Sequence, residues 1–244
     1  MLRRFKAIFS IPVKRQLFKV GLKGQFTPPV GQVDMGDLNR LMPIARNYGY
    51  QRGEPIDRYY IEEFLRENQS LIKGHVLEIG DDGYTRGFGG TKVLKSDVLH
   101  LNNSNQKATI IGDLTHLPQI KDNTFDCIIL TQTIQFIYDY QEALRTCFRI
   151  LKPGGALLLT APGIAPLDDN EWHSLYYWSF TAGGVQKLLK ETFIGSDIHV
   201  KNYGNILAAT SFLNGLCREE LTKKQLDHHD QFIQMIAVGR AIKK

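Results

Sequence analysis

The sequence predicts an α/β protein with a doubly wound, mostly parallel seven-stranded sheet covered by helices on both faces. Short runs rich in β-branched residues recur at 75–80, 92–98, 108–113, 125–131 and 156–161, each closed by polar or glycine-containing text. Within them the apolar character is nearly continuous, as in CIILT and ALLLTA, which is the pattern of strands buried on both faces. Segments with helical periodicity separate or flank the runs, and strand–helix–strand at this spacing implies a right-handed parallel crossover.

The first periodic segment follows Pro55, where IDRYYIEEFLRENQSLI puts Ile56, Tyr60, Ile61, Phe64 and Leu65 on one stripe, with proline at the helix start. A second helix lies between the fourth and fifth strands. Asp139 and Glu142 have capping-box spacing, Ala143, Leu144, Cys147, Ile150 and Leu151 form the stripe, and KPGG stops it. A third spans 181–192 with Val185, Leu188 and Leu189 inward, followed by a sixth strand at 198–203, a helix at 206–216 and a last strand at 232–241. Only residues 81–90 and 99–107 separate the first three strands, so those crossovers are shortened.

Ahead of this domain, 55–244, residues 1–54 read as a basic arm and an irregular Gly-, Pro- and Asn-containing lead-in or lid. The chain is 43% hydrophobic with a formal net charge of +5. Seven cations (Arg3, Arg4, Lys6, Lys14, Arg15, Lys19 and Lys23) precede the first acid, Asp34, so the remainder is slightly acidic. A basic surface for nucleic acid is therefore not expected on the domain. In the arm, Leu2, Phe5, Ile8 and Phe9 at helical spacing among cations make a candidate peripheral contact with an anionic membrane or a partner's acidic face, or a basic helix packed on its own domain. Pro12 and the charges exclude a signal peptide or a spanning helix there. Cys127, Cys147 and Cys217 form no CxxC pair, which fits a reducing cytoplasm. His228 and His229 lack the companions of a metal shell and read as a solvated turn, so no metal is expected.

Ligands of open parallel sheets bind beyond the carboxyl ends of the strands. The residues expected there are Glu78 and Gly80, then Asp97, then Asp113, then Thr131 and Gln132, with His100 just beyond. Three acids at successive strand ends suit a ligand bearing an amine, a ribose diol and an adenine. After the fifth strand, residues 168–180 carry candidate acceptor-binding aromatics, Trp172 and Tyr177, and a candidate base, His173. Trp178 and Phe180 read as core anchors.

In this order VLEIG, SDV, GDLTHLP with NTFDCIILTQT, and LKPGGALLLTAPG resemble the class I S-adenosylmethionine-dependent methyltransferases, near the type 11 group. The strings PIDRYYIEEFL, EIGDDGYTRGFGG and DCIILTQTI further resemble methyltransferases found beside glycosyltransferases in bacterial polysaccharide regions. The resemblance implies a Rossmann-like fold, S-adenosylmethionine as cofactor and methyl transfer by in-line displacement to a small-molecule or glycan acceptor. It implies that Glu78 orders the glycine turn and the cofactor's amino-acid end and that Gly80 lets the backbone approach the cofactor. Asp97 matches the ribose-binding acid with Val98 against adenine, Asp113 the acceptor of the adenine amine with Leu114 beside it, and Thr131 the position facing the methionine end.

The departure is in the glycine motif, where the family's GxGxG reads Gly80-Asp81-Asp82-Gly83-Tyr84. Tyrosine is poorly suited to left-handed backbone, so the loop must take another geometry. Asp81 or Asp82 is a candidate partner for the sulfonium and Arg86 for the methionine carboxylate. Two rival readings follow: a non-catalytic scaffold that kept the sheet, motivated by this loop, and a lipid or quinone methyltransferase, motivated by the arm.

Overall fold

The computed structural model describes residues 11–22, 24, 26–167 and 173–244. The chain divides into two compact units, Met1–Leu41 and Met42–Lys244. In the first, helix α1 (Ile11–Lys19) has no buried residue, and Arg15 pairs with Asp34 at 3.7 Å. Leu2, Phe5, Ile8 and Phe9 lie outside the described residues.

The second unit is built on seven strands: β1 (Gly74–Ile79), β2 (Val93–His100), β3 (Ile110–Ile111), β4 (Phe125–Thr131), β5 (Leu151–Pro162), β6 (Asp197–Tyr203) and β7 (Ile236–Ile242). Their order is β3-β2-β1-β4-β5-β7-β6, with β7 antiparallel to both neighbours and the other pairings parallel. The order reverses between β1 and β4, where an open parallel sheet leaves a crevice.

Alternation along the central strands sends side chains to two cores. Ile128 and Leu130 of β4 join Leu157 and Leu159 of β5 against α3 (Tyr140–Ile150) and α4 (Ala182–Thr192). Cys127 and Ile129 join Val76 and Leu158 on the opposite face, against α2 (Ile56–Glu67) and α5 (Ile206–Leu213). All five residues of the expected α2 stripe are buried. Trp178 and Phe180 pack edge-on against Tyr140 in the first core.

The β1–β2 connection contains one π-helical turn, Thr85–Gly89, and a 3-10 turn, Gly90–Lys92. Several boundaries differ from expectation. β3 is only two residues long, and β5 begins at Leu151 because KPGG lies within the strand. Asp139 sits at the α3 N-cap without a side-chain cap; its carbonyl accepts from Glu142 at 3.0 Å, and the Glu142 carboxylate turns to Arg145 instead. Thr181 and Asn205 cap α4 and α5 through their side chains. α5 ends at Leu213, and β7 starts four residues later than the apolar text at Phe232, which is exposed.

Residues 42–54, read from sequence as part of an irregular lead-in, fold with the second unit. The Ile44 and Ala45 amides donate to the Asn214 carbonyl at 2.9 and 3.2 Å, Arg52 pairs with Glu220, and Pro55 bridges to Cys217. This seam requires glycine at 215, whose φ is +70° and where a methyl group would fall on the Ala45 carbonyl. Gly215→Ala is expected to release the 44–50 segment and cost about 2–4 kcal/mol; an unchanged urea midpoint would argue against that seam.

Candidate cofactor site

At the end of β1 the Glu78 carboxylate is buried and accepts backbone N–H bonds from Tyr84 at 3.2 Å and Thr85 at 2.7 Å. Burial pushes its pKa up to about 7 against the pull of those donors. Gly80 follows at φ +89°, its N–H donating to the Leu99 carbonyl at 3.0 Å and its carbonyl accepting from Asn105 at 2.5 Å. Tyr84 is right-handed, at φ −72° and ψ −38°, and starts the π-helical turn.

Two cavities open beyond these strand ends. The larger, about 300 Å³, has apolar walls from Ile79, Leu99, Leu101, Leu114, Phe136 and Ile137, and polar edges from Gly80, His100, Asp113, Gln132 and Thr133. The smaller, about 110 Å³, lies between the start of α2 and the ends of β4 and β5, lined by Asp57, Arg58, Gln135, Pro162 and Tyr176 among others. Tyr48, Gln132 and Phe136 line both. Apolar walls with a carboxylate at one edge fit an adenosine, whose ring faces bury and whose amine and hydroxyls donate.

Of the residues expected to bind cofactor, Gly80, Asp113 and Leu114 line the larger cavity, and Glu78 shapes its turn from behind. Asp113 also accepts from the Thr115 amide at 2.8 Å. Gln132, expected to meet substrate, lines both cavities at φ +44°. Thr131 lines neither; its carbonyl accepts from the Thr133 hydroxyl at 2.9 Å.

Asp97 and Val98 are not at a strand end. β2 runs on to His100, so both lie in its interior opposite Leu77 and Glu78, and Leu99, His100 and Leu101 take the cavity wall. The Asp97 carboxylate is bound by His75 at 2.6 Å, Lys95 at 2.8 Å and Thr109 at 2.8 Å. Asp82 and Arg86 pair with each other at 2.5 Å, and neither lines a cavity. His173 stands on an exposed turn, His173–Leu175, and lines neither cavity, whereas Leu175 and Tyr176 do. Tyr177 rests edge-on against Tyr138 at 5.4 Å outside both, and Trp172 lies outside the described residues. Among the described residues no group of three metal-ligating side chains occurs.

Sequence reasoning missed Tyr48 and Asp57. The Asn47-Tyr48-Gly49 turn, with all three residues at positive φ, was the available signal for the first. Asp57 gives no local signal beyond its place as an acid in the first turn of a helix.

Residues 92–159 match a family model described as a methyltransferase domain. Among curated proteins, a Pasteurella multocida ubiquinone/menaquinone biosynthesis C-methyltransferase UbiE is 31% identical over 110 residues, covering 36% of this chain and 41% of that protein. Its Cronobacter sakazakii counterpart is 46% identical over 50 residues, 19% and 20% of the two chains. The chain thus spans about two fifths or less of the length of these relatives. Among solved structures, a SAM-dependent methyltransferase from Archaeoglobus fulgidus aligns at a TM-score of 0.51 with 13% identity, covering 76% of this chain and 94% of that one. A Thermotoga maritima SAM-dependent methyltransferase, described as a possible histamine N-methyltransferase, aligns at 0.51 with 19% identity, covering 80% and 95%. The chain has the fold of the S-adenosylmethionine-dependent methyltransferases.

Proposed function

We propose that this protein is an S-adenosylmethionine-dependent methyltransferase. The observation that carries the reading is the apolar cavity at the ends of β1, β2 and β4, edged by Asp113 and shaped by the Glu78-held turn. The cofactor supplies a methyl group already activated on a sulfonium, so the chain's part is to align an acceptor and exclude water. Tyr48, Phe136 and Leu175 supply apolar cover over the larger cavity, and Asp113 is the acceptor for an adenine amine.

The acceptor we favour is a hydroxyl of a sugar or glycan precursor, methylated in a reducing cytoplasm. It rests on the strings shared with methyltransferases of polysaccharide regions and is an argument by association. The three buried, free cysteines are compatible with that compartment. A second reading, methylation of a quinone-type carbon, is favoured by the similarity to UbiE proteins. It would use the basic arm, 1–23, as a peripheral membrane contact. No described helix is long and apolar enough to cross a membrane.

Methyl-labelled S-adenosylmethionine offered with a nucleotide-sugar panel and with a demethylated quinol separates the readings. Label on a sugar oxygen is the expected result. Label on the quinol carbon replaces the first acceptor with the second. If S-adenosylhomocysteine releases no heat and raises no melting temperature, the protein is a scaffold on the same sheet.

A further inference from the structure

We infer that the smaller cavity receives the amino-acid end of the cofactor, with Asp57, Gln135 and Tyr176 accepting from its ammonium and Arg58 facing its carboxylate. The inference rests on the reading of the chain as an S-adenosylmethionine-binding protein, and it moves recognition of that end from the glycine loop to the start of α2.

The loop has no charge to spare for a ligand. Glu78 is engaged by the Tyr84 and Thr85 amides, Asp81 accepts from Gly83 at 2.9 Å, and Asp82 and Arg86 neutralise each other. None of these four side chains lines either cavity.

The smaller cavity has the opposite character. Asp57 is 8% exposed and Gln135 3% exposed, and Asp57 Oδ1 and Gln135 Oε1 are buried without a hydrogen-bond partner, with the Tyr176 hydroxyl beside them in the same lining. Leaving one such atom unmet costs about 1–3 kcal/mol, so two around one small space mark a place for a ligand with several donors. An ammonium has three N–H donors in a compact head. Arg58 lines the same space, fixed through Nε to Tyr50 at 3.2 Å and Nη1 to Tyr84 at 3.1 Å, which leaves Nη2 for a carboxylate. Burial raises the Asp57 pKa, and a cation beside the carboxylate relieves that cost. Because the two cavities share Tyr48, Gln132 and Phe136, a ligand with adenosine in the larger space can extend into the smaller.

The test compares S-adenosylhomocysteine with 5′-methylthioadenosine, which keeps the adenosine and the sulfur and lacks the amino-acid end. Calorimetry on the full chain should show wild type binding S-adenosylhomocysteine about tenfold or more tightly over methylthioadenosine. Asp57→Asn should lose about tenfold for the first ligand and leave the second unchanged. Gln135→Leu should shift the same way and carries the test if the Asp57 variant does not melt cooperatively. Equal affinities of wild type for the two ligands, or variants that bind both as wild type does, overturn the inference. Variants weakened equally toward both ligands also overturn it. Wild type that binds neither ligand overturns the cofactor reading itself, and this inference with it.

Discussion

Glu78→Ala is expected to weaken binding of S-adenosylhomocysteine about a hundredfold, the largest effect of any single substitution behind the cofactor site. The carboxylate spans from β1 to the turn after Gly80, and its two oxygens each meet one amide, of Tyr84 and of Thr85. Without it two N–H groups at the start of a helical turn lose their acceptors, and the backbone that sets the cavity edge is no longer tied to the sheet. The stability cost should depend on pH, and its sign follows from the raised pKa of Glu78. With a folded value of about 7 against the usual 4.5, the native state holds a proton between these limits that the unfolded chain has released. The contribution of Glu78 to stability is therefore complete below about pH 4.5 and diminishes by about 3 kcal/mol as pH rises through 7. Glu78→Ala should cost about 2–4 kcal/mol at pH 5 and distinctly less at pH 8. Urea denaturation at the two pH values reads the difference, and calorimetry reads the affinity. An equal cost at both would mean that the buried carboxylate titrates normally, and undiminished affinity would mean that the turn holds its shape unaided.

The parts of this architecture legible in the sequence are those where a local pattern has one physical meaning. CIILT alternates between two covered faces, so its first four residues are all apolar, and the strand appears in the structure at 125–131 as read. The α2 stripe is equally local. Glu78, Gly80, Asp113 and Gln132 were legible because each stands within two residues of a strand end that the text marks clearly. Asp97 misled because DVLH is apolar enough to continue as strand, and no residue in it says where pairing with β1 stops. Tyr48 and Asp57 were hidden for a different reason. Their meaning comes from contacts with residues more than a hundred positions away: Tyr48 stacks on Phe212 at 5.9 Å, and Asp57 shares a cavity with Tyr176. The capping box at Asp139 shows the converse, a correct helix start whose side chains chose other partners.

Asp97 yields the second large effect, on stability and not on binding. Asp97→Ala is expected to lower the unfolding free energy by about 2–4 kcal/mol and to change affinity for S-adenosylhomocysteine by less than about threefold. The carboxylate joins three elements: His75 at the start of β1, Lys95 on its own strand and Thr109 ahead of β3, whose hydroxyl also accepts from the Val98 amide at 2.9 Å. Its removal takes the shared acceptor from the half-buried His75 and the exposed Lys95 and Thr109, and loosens the pairing that carries Leu99 and His100 to the cavity wall. Burial opposes ionisation of Asp97, but the hydrogen bonds from Lys95, His75 and Thr109 outweigh it and hold the carboxyl below its ordinary range. The stabilisation is therefore present above the unfolded value near 3.8 and is lost as pH falls through the lower folded value. Wild type and Asp97→Ala should accordingly converge in stability only once pH has fallen through the folded value, below the unfolded value near 3.8, where the native carboxylate too is protonated. The opposite pattern, full stability with cofactor binding lost, would put Asp97 on the ribose and require β2 to end three residues earlier, with His100 outside the sheet. Because the two outcomes differ in both observables, one variant with a melt and a titration decides whether this acid holds the sheet or the ligand.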